Sequence, residues 1–181
     1  MRAVFLDRDG VINRATVRSG KPFPPSTVAE IEILPGVGRA LEALSAAGFR
    51  LIVVTNQPDV ARGTATREAI EEIHERLALL LPIDRFLVCF HDDADGCECR
   101  KPRPGMLLAG ASVFGVDLAE SYMVGDRWRD IEAGLAAGCR TIFVDHGYDE
   151  RKPTGQDAQV ASLEEAAEFI LKGNAHGQAH R

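Results

Sequence analysis

Val4-Phe5-Leu6-Asp7-Arg8-Asp9-Gly10-Val11 reads as a buried strand that ends on two carboxylates. Successive side chains of an extended segment point to opposite faces, so Asp7 and Asp9 share one side. Gly10 then lets the backbone turn away sharply. The pair lies just outside the carboxyl end of a strand, where open α/β sheets bind ligands. One carboxylate there can attack a phosphorus or ligate a metal while its neighbour handles a proton. An isolated Asp-x-Asp-Gly is equally a polar turn that closes a strand, so the rest of the chain has to decide.

Outward from this segment, apolar runs near 2–6, 50–54, 85–89, 121–124 and 140–144 alternate with helical periodicity near 36–47, 66–81, 104–114, 128–137 and 162–172. Pro35 and Gly36 open the first helix, and Gly48 follows it in a C-cap position. Strands alternating with helices predict a three-layer α/β domain, a parallel sheet covered on both faces. Residues 13–33 are irregular and carry Gly20-Lys21-Pro22-Phe23-Pro24-Pro25, which predicts a flap or long loop over the site. One domain over 1–172 is expected, with 173–181 a frayed tail in which His176 and His180 have no assigned role.

A chain of 181 residues accommodates one sizeable core. Its net charge of -6 offers no electrostatic track for nucleic acid or an anionic membrane, although a local basic pocket can still hold phosphate. No apolar run reaches membrane-spanning length. The first residues enter a strand without a leader pattern, so a cytoplasmic monomer is expected and the thiols read as metal ligands or core residues.

Further signals fall at strand ends. Thr55-Asn56-Gln57 follows Leu51-Ile52-Val53-Val54, and a hydroxyl, a carboxamide and backbone N–H groups can hold phosphoryl oxygens there. Taken alone, the triplet is also an ordinary polar turn. Arg100-Lys101-Pro102 offers a lysine that can neutralise an attacking aspartate, and an arginine for a second, forked contact, or else a solvated basic dipeptide. Gly125-Asp126 ends another strand. With Asp7, Asp126 supplies hard oxygen ligands suited to Mg2+. Arg127 is a further candidate beside it. Asp130 is either another site residue or a charge that complements the helix dipole.

Three of the four cysteines share a short loop with a histidine: Cys89-Phe90-His91, then Cys97-Glu98-Cys99. Three thiolates and one imidazole complete a tetrahedral structural zinc site, leaving no open position for catalysis. The acidic stretch 92–96 reads as a polar turn, and Cys139, just before an apolar strand, as a core residue. Trp128, Arg129, His146 and Tyr148 carry no assignable role, and His74 reads as a structural or surface residue of an amphipathic helix.

In their order, Asp7-x-Asp9-Gly10-Val11, the strand-end Thr55, Lys101-Pro102 and Gly125-Asp126-x-x-x-Asp130 resemble the haloacid dehalogenase superfamily of phosphatases. More narrowly, residues 6–13, Thr55-Asn56-Gln57, Ala61-Arg62-Gly63 and the loop running into Cys99-Arg100-Lys101-Pro102 are similar to the subfamily of heptose-bisphosphate 7-phosphatases and histidinol-phosphatase domains. Met106-Leu107-Leu108 and Tyr122-Met123-Val124-Gly125-Asp126 favour the heptose branch. The stretches 20–25 and Pro58-Asp59-Val60 depart from that branch at the substrate entrance.

The resemblance implies a three-layer Rossmann-like fold without a separate cap domain and a small phosphorylated sugar as substrate. Asp7 would be the nucleophile and Asp9 the general acid, then base. Thr55 and Lys101 would hold the phosphoryl group, and Asn56 and Arg100 would contact substrate. Asp7, the main-chain carbonyl of Asp9 and Asp126 would bind Mg2+, and Cys89, His91, Cys97 and Cys99 zinc. Asp9 would have to arrive protonated, so its environment is expected to raise its pKa. Histidinol phosphate, a DNA 3′-phosphate and an inactive zinc-stabilised binding module are the alternatives; a phosphomutase would need a cap.

Overall fold

In order along the chain come β1 (Arg2–Leu6), β2 (Thr16–Arg18), β3 (Lys21–Phe23), α1 (Val37–Ala46), β4 (Phe49–Asn56), α2 (Arg67–Leu80), β5 (Arg85–Cys89), α3 (Gly105–Phe114), β6 (Tyr122–Gly125), α4 (Trp128–Ala137), β7 (Arg140–Val144), β8 (Ala158–Val160) and α5 (Leu163–Gln178). The computed structural model describes the backbone of residues 1–178 and the side chains of residues 1–173.

The strand alternation sorts apolar side chains into two cores. Val4, Leu6, Leu51, Val53 and Val124 face α1, α2 and α5, meeting Leu41, Leu44, Ile73, Leu77 and Ile170. Ala3, Phe5, Ile52, Val54 and Met123 face α3 and α4, meeting Met106, Leu107 and Ala133. The strands are apolar on both faces because helices cover both, the three-layer arrangement that the sequence predicts. Truncating a leucine in either layer, Leu41 for example, costs about 2–5 kcal/mol.

Six strands form one parallel sheet in the order β5-β4-β1-β6-β7-β8. From the central β1 the chain builds outward through β4 and β5, then crosses to β6 and builds the other way. That reversal opens a crevice at the carboxyl end of β1, the ligand position of doubly wound sheets. Leu6 pairs with both Val53 and Val124, so the residues that follow them in β1, β4 and β6 come to the same end of the sheet. Thr55, Asp7 and Asp126 follow from that register.

Three departures from the predicted elements are found. Within 13–33 a two-stranded antiparallel hairpin, β2–β3, replaces a structureless flap. Its turn residues Ser19 and Gly20 have φ of 49° and 74°, the conformation that matches hairpin twist. Asp149 N–H donates to the Gly20 carbonyl at 3.0 Å, tying the hairpin to the loop after β7. β8 is a three-residue edge strand with no apolar run to announce it. The last helix continues to Gln178 rather than ending at 172; the side chains of His176 and His180 lie outside the described residues.

Candidate active site

Asp7 leaves β1 with its N–H on the Val124 carbonyl, and its Oδ1 accepts from Lys101 Nζ at 2.8 Å. Lys101 reaches there from the loop before α3; its Nζ also donates to the Val54 carbonyl at 2.7 Å and lies 2.6 Å from Asp130 Oδ1. Asp130 is held in turn by the start of α4, accepting from the Arg127 N–H at 3.0 Å. A Cβ at Gly125 would stand 2.1 Å from the Asp130 Cβ, so only glycine lets this carboxylate fold back onto the strand end. Asp130 thus caps the helix and meets the Lys101 ammonium beside Asp7. Asp126 sits between them, with neither carboxylate oxygen hydrogen-bonded. Gly10 takes φ of 88°, and a Cβ there would fall 1.9 Å from Asp126 Oδ2.

Asp7, Asp126 and Asp130 bring their oxygens within 4.8 Å of one another, all buried. Three carboxylates against one ammonium leave two negative charges uncompensated. Burial, reinforced by the neighbouring carboxylates and only partly offset by Lys101, pushes Asp7 up to about 6. Burial, with Asp7 and Asp130 close by, drives Asp126 well above the carboxylate range. Burial opposes the charge on Lys101, yet Asp130 and Asp7 outweigh it and raise its pKa. Buried orphan oxygens and a two-charge deficit are what a hard divalent cation relieves, so the donor set fits Mg2+ held by Asp7 and Asp126.

Asp9 turns toward the same cleft. Its Oδ1 accepts from Arg8 Nε at 3.0 Å and Asn13 Nδ2 at 2.9 Å; its Oδ2 accepts from Arg8 Nη2 and Gln57 Nε2, both at 2.9 Å. Four donors thus meet Asp9, whose side chain keeps 15% exposure. Thr55 is buried, and its hydroxyl accepts from Gln57 at 3.0 Å. Asn56 lines the cleft, but its carboxamide is spent on Lys101, donating to its carbonyl at 3.0 Å and accepting its N–H at 3.1 Å. These two bonds hold the Lys101 backbone in place.

The cleft above these groups encloses about 300 Å³. Its floor is acidic; its rim carries Lys21, Arg62, Arg100, Arg127 and Arg129. Arg62 forks onto Asp92 with two bonds of 2.7 Å, while Arg100 and Arg129 meet Asp93 at 2.7 and 2.9 Å. Arg127 pairs with Glu150. Two aspartates of the loop after β5, read from sequence as a turn, thus tether three arginines from three different segments. Phe23 of the hairpin forms part of the opposite wall.

Behind this rim, Cys89, His91, Cys97 and Cys99 converge. Cys99 Sγ lies 3.2 Å from Cys89, 3.4 Å from Cys97 and 3.3 Å from His91 Nδ1; Cys89 lies 3.7 Å from Cys97 and 3.6 Å from His91. Zn–S bonds near 2.3 Å in a tetrahedron give edges of about 3.8 Å, so the four donors approach a zinc polyhedron in size. Cys139 is a buried core residue, as expected.

Gln57, Arg62, Arg129, His146 and Tyr148 are site residues for which the sequence assigned no role. His146 Nε2 donates to the Gly10 carbonyl at 2.6 Å, and the Tyr148 hydroxyl faces Asp126. Only Gln57 and Arg62 stood in the recognised motifs; Arg129 lines the cleft, and His146 and Tyr148 meet Gly10 and Asp126, from segments whose spacing along the chain says nothing of their meeting.

A parallel sheet carrying strand-end aspartates, a buried lysine and a basic rim defines a hydrolase acting on phosphate esters. Residues 98–168 match the HAD-hydrolase-like family. The chain is 38% identical to the D-glycero-β-D-manno-heptose-1,7-bisphosphate 7-phosphatase of Pseudomonas putida, over 83% of this chain and 86% of that one. It is 36% identical to the enzyme of the same name from Escherichia coli, over 93% and 87%. A solved D,D-heptose 1,7-bisphosphate phosphatase from B. bronchiseptica, complexed with magnesium and phosphate, superimposes with a TM-score of 0.82 at 33% identity, covering 96% of this chain and 99% of that one. The chain belongs to the haloacid-dehalogenase-like phosphatases, in the family of these heptose bisphosphate 7-phosphatases.

Proposed function

We propose that the chain is a Mg2+-dependent phosphomonoesterase that removes the 7-phosphate of D-glycero-β-D-manno-heptose 1,7-bisphosphate through an aspartyl-phosphate. The observation that carries this reading is the layout of charge: an acidic, lysine-bearing floor beneath a rim of arginines. The floor suits one phosphoryl group, and the rim gives the second phosphate of a bisphosphate a place to bind. The sugar follows from the named relatives.

Asp7 attacks the phosphorus, forming an Oδ–P bond as the bond to the sugar oxygen breaks, and Asp9 delivers a proton to that oxygen. Water then attacks the phosphorus, gives its proton to Asp9 and returns Asp7 as a free carboxylate. Ester and water become alcohol and phosphate. Lys101 and Thr55 hold the phosphoryl oxygens; Asn56 holds Lys101; Arg8, Asn13 and Gln57 hold Asp9. Asp7, the Asp9 main-chain carbonyl and Asp126 would hold Mg2+, which when bound would cancel the floor's excess charge and so let the phosphate dianion approach.

Zinc on Cys89, His91, Cys97 and Cys99 would fix the loop that presents Arg100 and Lys101. A single domain over 1–172 without a separate cap, working as a cytoplasmic monomer, completes the reading. Among the described residues no helix is long and apolar enough to cross a membrane.

The test is phosphate release with and without Mg2+ from both heptose bisphosphate anomers, fructose bisphosphate, histidinol phosphate and a 3′-phosphorylated oligonucleotide, with Asp7→Asn as control. A preference of about a hundredfold for the β-heptose ester, some 2.7 kcal/mol, is expected. Stronger turnover of histidinol phosphate would reverse the sugar assignment, and no Asp7-dependent release from any ester would return the chain to an inactive binding module.

A further inference from the structure

Arg8 is fully buried between the sheet and α2. A guanidinium is tolerated in the interior only when its N–H groups are met. Nε and Nη2 form a fork on the two oxygens of Asp9. Nη1 points the other way, to His74 Nε2 on α2 at 3.0 Å. A guanidinium has no acceptor, so Nε2 is the acceptor and the imidazole is neutral. Burial, together with the Arg8 charge, pushes the His74 pKa down to about 3, in keeping with that state. The ring is fixed by stacking on Phe86, with centroids 4.6 Å apart and planes 18° apart. Ile70, Ile73 and Leu77 share its inward face. His74 is 6% exposed, neither a surface residue nor simple core filling.

We propose that His74 is a positioning residue for Asp9: acting through Arg8, it fixes the carboxylate that serves the leaving oxygen. The inference rests on the acid role given to Asp9 above. Without the imidazole acceptor, Nη1 is left unpaired in the interior. The guanidinium must then turn toward another partner, and its fork on Asp9 is lost. The consequence falls on the step Asp9 performs, expulsion of an oxygen that needs a proton.

The test compares kcat/KM for the heptose bisphosphate, an alkyl ester, with kcat/KM for 2,4-dinitrophenyl phosphate, whose phenolate leaves without a proton. Asp9→Asn is the reference. For His74→Leu we expect a loss of about tenfold or more on the alkyl ester and under about twofold on the aryl ester. His74→Gln, whose Oε1 can accept from Arg8, should recover most of the loss. Equal losses on both esters, or His74→Gln as impaired as His74→Leu, would overturn the proposal. An Asp9→Asn enzyme indifferent to the leaving group would overturn the acid role and this inference with it. An Asp9→Asn enzyme that does discriminate beside a His74→Leu enzyme that does not would overturn the inference alone. If His74→Leu does not fold, Phe86→Leu, which frees the ring but keeps the acceptor, should show a smaller loss with the same ester dependence; no such dependence would count against the proposal.

Discussion

Two clusters of metal-type donors stand at the same edge of the sheet and are built in opposite ways. The carboxylates Asp7, Asp126 and Asp130 hang from β1, β6 and the first turn of α4, buried and placed by strand register and by the helix N-terminus. They keep their positions against their own repulsion because the sheet leaves them nowhere else to go. The thiol and imidazole cluster starts at buried Cys89, but its other members lie on a loop whose residues 92–96 are mostly exposed and carry no apolar packing. A short loop of that composition cannot order itself by burial, so a bound ion would supply what the core supplies elsewhere. One cluster is thus a strained charge arrangement on a rigid frame, the other a soft frame that a metal stiffens.

The sharpest way to break this contrast is at Asp7. Asp7→Asn should lower kcat by about 10⁴-fold or more, the scale seen on losing a nucleophile, while raising the melting temperature of the Mg2+-free protein because one of three mutually repelling buried carboxylates is gone. A fall in both would mean that the floor is structural. Next comes Lys101→Met. It leaves three buried carboxylates with no cation and should cost about 3–5 kcal/mol in a denaturant titration, as well as abolishing turnover.

On the soft side, mild chelation that strips zinc, followed by Mg2+ readdition, should lower the melting temperature and raise KM several-fold more than it lowers kcat. The arginine rim would loosen while the carboxylate floor remained in place. Unchanged kinetic constants would show that the loop orders itself. The smallest effect concerns pH. His74 titrates near 3 when folded and near 6.5 when unfolded. Between those values the unfolded chain binds the extra proton, so stability rises with pH, present in full above 6.5 and lost as pH falls toward 3. His74→Gln should flatten that part of the stability profile; an unchanged slope would mean the ring is protonated in the fold.

How much of this was legible in the sequence follows the same division. Strand ends are local, and Asp7, Thr55, Lys101 and Asp126 meet as expected because Leu6 pairs with both Val53 and Val124. The four zinc-type ligands share one loop, so their spacing sufficed. What the sequence left unread concerns partners brought together by folding. Asn56 looked like a ligand contact, yet its amide faces the Lys101 backbone, while Gln57, one residue on, bridges Asp9 and Thr55. That buried Arg8 and Asn13 reach Asp9 was likewise not legible along the chain. Arg62 and Arg129 join Arg100 only through Asp92 and Asp93, and β2, β3 and β8 are too short for periodicity to register.

The central claim is that Asp7 carries the phosphoryl group. The most direct test is acid quenching of the Asp9→Asn enzyme during turnover of 2,4-dinitrophenyl phosphate, whose phenolate leaves without a proton from Asp9, with Mg2+, followed by peptide mass analysis. Asp9 activates the water, so this variant should accumulate phosphate on Asp7 and on no other residue. Continued phosphate release with Asp7 unmodified, or the phosphoryl group on another side chain, would contradict the account.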